Sequence, residues 1–368
     1  MKGSVKFVSP EDTKDFYKIL IKRVDNYFTT NHISKTANAT MIFKTIVLVT
    51  AYVVPFILMV TLHPDFNIQL LLWTIMGISV AGVGMSVMHD ANHGSYSNND
   101  TVNYILGHTL NLLGGSVFNW KLQHNILHHT YTNIVHMDDD IQDRLVLKFS
   151  PHTKVKFYHK LQHFYAFFFY GILTLYWTVA KDFIQFYQFT RDGVNPNSAK
   201  QNWITFFQIL AVKVVYFYVV FYIPIHYFEF AFWQILVGYL LMHFWAGLIL
   251  TTIFQLAHTV EGTTHPLPSN GTIENNWAIH QLNTTVNFSR KNKWLSWYVG
   301  GLNFQVEHHL FPKICHVHYP EIAPIVKATA EEYGIPYLEN QSFGDALNAH
   351  IKALYRFGHL PNINTAIS

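Results

Sequence analysis

The chain has 368 residues, half of them hydrophobic and 16% aromatic, with only 13% charged and its 25 Lys/Arg nearly balanced by 22 Asp/Glu. Soluble domains carry about 25% charged residues, so this composition belongs to a membrane protein, and no Lys/Arg run offers a surface to nucleic acid. The lone cysteine, Cys315, excludes an internal disulfide and any cysteine-ligated metal or iron–sulfur site.

Residues 1–40 are polar and charged, with Lys14, Lys18, Lys22, Arg23 and Lys35 among them. They hold no apolar core followed by a small-residue cleavage site, so they read as a cytosolic segment without a signal peptide. Residues 41–88 hold two apolar stretches, 42–62 and 68–88, each close to the ~20 residues a bilayer-crossing helix needs. The break between them, His63-Pro-Asp-Phe-Asn67, has the proline and turn residues of a tight connection. Residues 201–257 hold a second such pair, 210–227 and 230–254, with the break placed near Pro224. Neither connection carries Lys or Arg, whereas the other long polar regions do. The positive-inside rule therefore predicts two transmembrane hairpins that start and finish in the cytosol, with both termini there. Lys213 is compatible with this only if its helix begins late and its side chain snorkels toward the cytosol.

The region between the hairpins, 89–200, has two further apolar stretches. The first, 104–118, is short and contains Asn111 and three glycines, as a re-entrant or interfacial helix would. The second, 164–180, is just long enough to span, but its many aromatic residues suit the membrane interface. Parity supports the interfacial reading of both, because a single extra crossing would put the flanking segments in opposite compartments. The remaining residues, 258–368, are expected to form a cytosolic cap, with helices at 321–333, stopped by Gly334 and Pro336, and at 343–357. The fold class is an all-α integral membrane protein of four transmembrane helices.

Three clusters of histidines punctuate this layout: His89-Asp-Ala-Asn-His93, His124-Asn-Ile-Leu-His128-His129 and Gln305-Val-Glu-His308-His309. Histidines four apart share one helix face, so the first two clusters each present imidazoles that can point at one metal. Imidazole suits iron, zinc, copper and nickel. Adding His258, which follows the fourth apolar stretch, gives eight candidate ligands, more than one six-coordinate ion takes and suitable for two. The chain has 23 histidines, and isolated ones such as His63, His226 and His243 read as ordinary core or surface residues. His316 and His318 lie in a turn-like stretch past Pro312 and are not included. Asp90, Asp138, Asp140 and Glu307 lie close in sequence to these histidines and could accept a hydrogen bond from a ligating ring, although a solvated acid is an equally ordinary role.

These residues resemble the membrane-bound fatty acid desaturases, over nearly the whole chain. The sharpest point of resemblance is 300–312, Gly-Gly-Leu-Asn-Phe-Gln-Val-Glu-His-His-Leu-Phe-Pro, which is similar to the Gln-x-x-His-His form of front-end desaturases of delta-6/delta-5, linoleoyl-CoA desaturase-like type. Most other desaturases carry a histidine where this chain has Gln305. The resemblance implies that His89, His93, His124, His128, His129, His308 and His309 ligate two irons, that His258 matches a further histidine ending the fourth span, and that Gln305 acts through water. It implies insertion of a cis double bond into a fatty acyl chain with dioxygen as co-substrate. Front-end members often carry a fused cytochrome b5 domain with a His-Pro-Gly-Gly motif, which is not found here. A separate electron donor is then expected, a ferredoxin or a cytochrome b5 with its reductase.

Such chemistry suits the composition, since an unactivated methylene pair yields only to a metal centre with oxygen, held dry and oriented by protein. The aromatics of 164–176 and the glycines of 107–115 are candidates to line an acyl tunnel. Lys148, Lys154, Lys156 and Lys160 could hold the phosphates of a CoA headgroup or simply mark a positive-inside loop. Competing readings are a di-iron lipid hydroxylase or alkane monooxygenase, a sphingolipid desaturase and, in another class, a membrane metal transporter. A transporter should place its ligands within the spans near the midplane, not at or beyond their ends.

Overall fold

The structure, a computed structural model, describes residues 5–142 and 146–360, which are almost wholly helical. Strand β1 (Lys6–Phe7) and helix α1 (Phe16–Thr30) lead into the long α2 (Ala39–Leu62) and α3 (Phe66–His93). Next come α4 (Asp100–Gly107), which tightens into a 3-10 turn at His108–Leu113, and α5 (117–131), π-helical over Lys121–His128. Helix α6 runs over 162–191 with a π-helical turn at Trp177–Lys181, followed by α7 (Ala199–Tyr227) and α8 (Phe232–His258). The last third holds β2 (Thr272–Ile273), α9 (Trp277–Thr284), β3 (Asn287–Phe288), α10 (Lys293–Tyr298), α11 (Gln305–Leu310), α12 (Tyr319–Glu332), β4 (Glu339–Asn340) and α13 (Phe343–His359). The strands form two parallel pairs, β1 with β2 and β3 with β4. Among the described residues, α2, α3, α7 and α8 are the helices long and apolar enough to cross a membrane.

The chain forms two compact units. The first comprises Asn38–Leu122 and Phe167–Thr252, the second the chain up to Ala37, Gln123–Ala166 and the chain from Ile253 on.

In the first unit, helix ends are set by local chemistry. Asn38 Oδ1 accepts from Met41 N (3.1 Å) to open α2, and Asp65 Oδ1 accepts from Asn67 N (3.0 Å) to open α3. Residues 63–65 join these two helices, and the Ser79 hydroxyl donates to the Leu48 carbonyl between them. Outward-facing Ile42, Phe43, Ile46, Ile57 and Leu62 on α2, and Trp203, Phe207, Val214 and Val215 on α7, give both helices an apolar exterior suited to lipid. Close approach between α6 and α8 depends on small residues: a Cβ on Gly247 would lie 2.6 Å from the Tyr170 carbonyl oxygen, and one on Gly171 2.4 Å from the Phe244 ring.

Four expectations are corrected here. The second pair of long helices does not break near Pro224. A π-helical turn at Tyr218–Tyr222 precedes it, Pro224 sits near the start of the final helical turn, and the chain reverses over 228–231. The missing proline N–H and the ring clash are absorbed by that widened turn. Helix α7 also starts at Ala199 rather than near 210, because Ser198 and Gln201 form a capping box on a polar first turn that hydropathy alone does not register. Lys213 therefore lies mid-helix and turns inward instead of snorkelling. Its Nζ contacts Asp182 Oδ2 at 2.6 Å and donates to the carbonyls of Gly114 (2.6 Å) and Trp177 (2.7 Å). Asp182 is itself held by Ser116 N (3.0 Å) and Trp177 Nε1 (3.0 Å). The glycines of 107–115 are likewise filled by neighbours rather than open: Asn92 packs on Gly107, Tyr216 on Gly114 and Trp177 on Gly115. His243, set aside in the sequence as an isolated histidine, is a core residue held between the Tyr216 hydroxyl (2.6 Å) and Thr174 (3.2 Å).

The second unit is built on α1, α11 and α12. Phe16, Leu20, Val24 and Phe28 recur every four residues, and this stripe is buried against Leu310, Ile322 and Val326. Arg23 clamps Glu332 with two hydrogen bonds of 2.8 and 2.7 Å. Helix α13 docks through Gly358, where a Cβ would meet the His159 carbonyl oxygen at 2.1 Å. Lys148 is not part of a surface cationic patch: it is buried, donates to the Ser150 carbonyl (2.6 Å) and lies over the Phe357 ring.

Candidate metal centre

Six histidines converge in the second unit. His128, His258 and His309 are fully buried, and each offers one nitrogen within 4.8 Å of the others. Their ring centroids lie 4.7 Å (His128–His258), 4.9 Å (His128–His309) and 5.0 Å (His258–His309) apart. His129 stacks on His309 at 4.6 Å and meets His308 edge-on at 4.6 Å, while His124 lies 5.9 Å from His308. The helices place these rings. His124 and His128 share a face of the π-helical part of α5, a wide helix form frequent at functional sites. His258 is the last residue of α8, and His308 and His309 sit on the short α11. That helix follows Gly300 and Gly301, both at positive φ; a Cβ on Gly301 would lie 2.8 Å from His316 Cβ.

What each ring does with its other nitrogen defines the chemistry. His128 Nδ1 donates to the Asp138 carboxylate at 3.0 Å, and His124 Nδ1 to Asp140 at 3.0 Å. His309 Nδ1 lies 2.8 Å from Gln281 Oε1, His308 Nδ1 3.2 Å from the Tyr319 hydroxyl, and His258 Nδ1 3.4 Å from the Thr284 carbonyl. Engaging Nδ1 fixes the tautomer and leaves Nε2 as the nitrogen with a lone pair to give. At His128 that atom is buried and has no hydrogen-bond partner among the described residues. Buried, all-nitrogen donors oriented in this way fit a transition-metal ion. Burial works against a charged ring at His128, but the Asp138 carboxylate, by charge and hydrogen bond, and then Asp140 outweigh it and raise its pKa.

The remaining sequence candidates fall as follows. His89 and His93 belong to the first unit, on the last turn of α3, with rings 4.7 Å apart and both edge-on to Trp120. Asp90 Oδ1 lies 3.5 Å from His89 Nδ1. Gln305 is buried and its amide Nε2 is 3.0 Å from His258 Nε2, so it reaches a ring of the cluster directly. Glu307 accepts from the Tyr337 hydroxyl (2.7 Å) and Asn287 Nδ2 (2.8 Å), ties that hold α11 to the segment entering β4 and to β3. Burial pushes its carboxyl up to about 7 in spite of these bonds. His318 Nε2 donates to the Thr36 carbonyl (2.9 Å), a structural contact.

Four supporting residues have no signature in the sequence. Gln281, on α9, holds His309 with its oxygen while its Nε2 donates to the His129 carbonyl (3.1 Å). The Thr132 hydroxyl lies 2.8 Å from Gln281 Oε1 and 3.3 Å from His309 Nδ1. Tyr319 supports His308. Asn133, in the left-handed conformation that asparagine tolerates, donates its amide to the carbonyls of His258 (3.1 Å) and Thr264 (3.1 Å) and its N–H to Asp138 (3.0 Å).

The sequence pattern of the fatty acid desaturase family matches residues 67–341. The chain belongs to that family. It is similar to the sn-1 linoleoyl-lipid 6-desaturase of Arthrospira platensis, 37% identical over 347 residues that cover 94% of this chain and 93% of the relative. The acyl-lipid (8-3)-desaturase of Physcomitrium patens is 34% identical over 97% of this chain and 74% of its own length. The linoleoyl-lipid 6-desaturase of Synechocystis sp. is 32% identical over 94% of this chain and 96% of its own. The desaturase is thus an oxidoreductase of fatty acyl chains, of front-end type, and a membrane protein.

Proposed function

We propose that this enzyme is an oxygen-dependent acyl-lipid desaturase whose eight histidines, His89, His93, His124, His128, His129, His258, His308 and His309, hold two iron ions. The observation that carries it is the buried cluster of six imidazoles in one unit, with Nδ1 of five of them engaged by acceptors. Bound iron supplies the dioxygen chemistry needed to remove hydrogen from an unactivated methylene pair. The chain's residues do the rest. Asp138, Asp140, Gln281 and Tyr319 fix ring orientation, Phe254 covers the faces of His128 and His258 (5.0 and 4.8 Å), and burial keeps water out. Gln305, a neutral amide beside His258, takes a supporting place through water or through that ring.

The methylene pair yields only half the electrons that dioxygen needs to become water, so a ferredoxin or a cytochrome b5 with its reductase supplies the others. In this reading α2–α3 and α7–α8 cross the membrane as two hairpins, α4 and the first part of α6 lie at the interface, and the second unit forms a cytosolic cap. The substrate class follows the relatives, whose names specify acyl-lipids. Expression in a host followed by fatty acid profiling, with double bonds located, should reveal a new bond on the carboxyl side of an existing one. Alanine at His128 or His309 should abolish it while the protein still inserts in membranes. Retained desaturation in either variant would sink the metal assignment, and hydroxylated rather than unsaturated products would sink the reaction.

A further inference from the structure

Immediately beyond His258, the second unit contains a cavity of about 270 Å³ lined by Val260, Glu261, Thr264, His265, Arg356 and Phe357 among others. Two of its polar groups are unspent. The side chain of Arg356, exposed on the last turns of α13, makes no ion pair or hydrogen bond among the described residues. The Nε2 of His265 is enclosed yet has no hydrogen-bond partner among the described residues. The one acid at the rim, Glu261, is exposed and faces Lys352 at 3.9 Å. Burial first, then the neighbouring charges of His152, Arg356 and Lys148, push the His265 pKa down to about 4, so its ring is neutral and Nε2 adds no charge of its own. The cavity floor is apolar, with the Phe357 ring 5.4 Å from His265.

The surroundings of this cavity are apolar and outward-facing. Phe157 is 85% exposed and Phe164 74%, and Leu161, Leu267 and Tyr355 are exposed beside them. Gly358 seats α13 directly on the turn at Phe157–Leu161, and the His163 ring lies 5.1 Å from Tyr355, so these exposed side chains belong to the segment packed on α13, the helix that carries Arg356. Exposed aromatic and aliphatic side chains interspersed with Lys154, Lys156, Lys160 and Lys352 match a surface that sits in lipid headgroups.

We propose that this cavity binds the phosphate of a membrane phospholipid, with Arg356 forking two phosphate oxygens and the neutral His265 ring lining the cavity beside it. Guanidinium matches phosphate in a bidentate geometry, which explains an arginine left without a carboxylate beside so many acceptable partners elsewhere. The site is also mechanically tied to the metal cluster. The Thr263 hydroxyl donates to the His258 carbonyl at 2.9 Å, and Asn133 bridges the carbonyls of His258 and Thr264. As the headgroup site of the acyl carrier, the proposal rests on the acyl-lipid reading above.

The test uses the full-length protein in detergent, titrated with dihexanoyl-phosphatidylglycerol, dihexanoylglycerol or inorganic phosphate while intrinsic tryptophan fluorescence is followed. The phospholipid should bind, Arg356→Gln should weaken it roughly ten-fold or more, and His265→Gln should weaken it less. The phosphate-free diacylglycerol should bind wild type and variant alike and weakly. Equal affinity of wild type and Arg356→Gln for the phospholipid overturns the proposal. Inorganic phosphate competing as strongly as the phospholipid overturns the lipid source in favour of a soluble phosphate ester. Arg356 is exposed, so the variant should fold, and an unchanged melting curve verifies this. Because the readout is binding, a chain that fails to desaturate any lipid overturns the desaturase reading without touching this one.

Discussion

At the scale of single residues, the metal cluster is a set of rings whose orientation is decided by their neighbours. Gln281 is the informative case. Its oxygen holds His309 Nδ1 at 2.8 Å and its Nε2 holds the His129 carbonyl, so one amide ties down two stacked histidines of the cluster from outside. Gln281→Leu keeps the volume and removes both bonds. Outer partners of this kind are worth about 10–100-fold in metal affinity or activity. The expected result is iron content and desaturation both reduced by about that factor, with the protein still in the membrane, measured by metal analysis and product profiling of the same preparation. Full iron with full activity would mean that Gln281 merely packs. The histidines themselves were legible in the sequence because their spacing places them on one helix face. Gln281, Thr132 and Asn133 were not, because their roles come from contacts across 28 to 177 residues that no local pattern encodes.

At the scale of elements, two devices hold the apolar helices of the first unit together. One is the Lys213–Asp182 pair, buried at 6% and 1% side-chain exposure and supplied with further donors and carbonyls. A buried pair adds little net stability, but removing one partner strands the other charge at a cost of about 3–5 kcal/mol. Lys213→Met should therefore lower the melting temperature in detergent sharply, and Lys213→Met combined with Asp182→Asn should recover much of the loss. If the double variant were no better than the single one, the cost would lie in packing and not in charge. The other device is Gly247, where α8 passes close to the α6 backbone. Gly247→Leu should destabilise by about 1–3 kcal/mol or more through overpacking, read as an earlier thermal transition. A conservative Gly247→Ala should do so less, since it adds one methyl to the same gap. Hydropathy located all four long helices, yet missed that α7 begins at Ala199 and carries on past Pro224. Polar capping residues and a π-helical turn extend a helix without adding apolar residues. Lys213 was misjudged for a related reason: its partner lies 31 residues away on another helix, so a lone charge in an apolar run looked like one that had to escape.

At the scale of the whole molecule, the proposed topology puts the short connections at 63–65 and 228–231 on the far side of the membrane and the lysine-bearing turns near 154 in the cytosol. In the proposed reading this arrangement lets a reduced electron carrier of the cytosol reach the metal centre. Only one cysteine is present, and it is buried, so the unmodified chain should stay dark to a membrane-impermeant thiol reagent. Asn67 and His226, beside the two connections, are exposed, as is Lys154. In intact cells, Asn67→Cys and His226→Cys should label at once, while Lys154→Cys should label only after the membrane is permeabilised. By the positive-inside rule the neighbouring lysines at 156 and 160 favour a cytosolic place for that segment, so reversing their charge should weaken the bias. The opposite labelling pattern would place the cap outside the cytosol, away from ferredoxin or cytochrome b5, and the electron route would have to be abandoned. Labelling at all three positions in intact cells would mean that one hairpin does not cross. The parity argument that keeps α4 and α6 at the interface would fall with it.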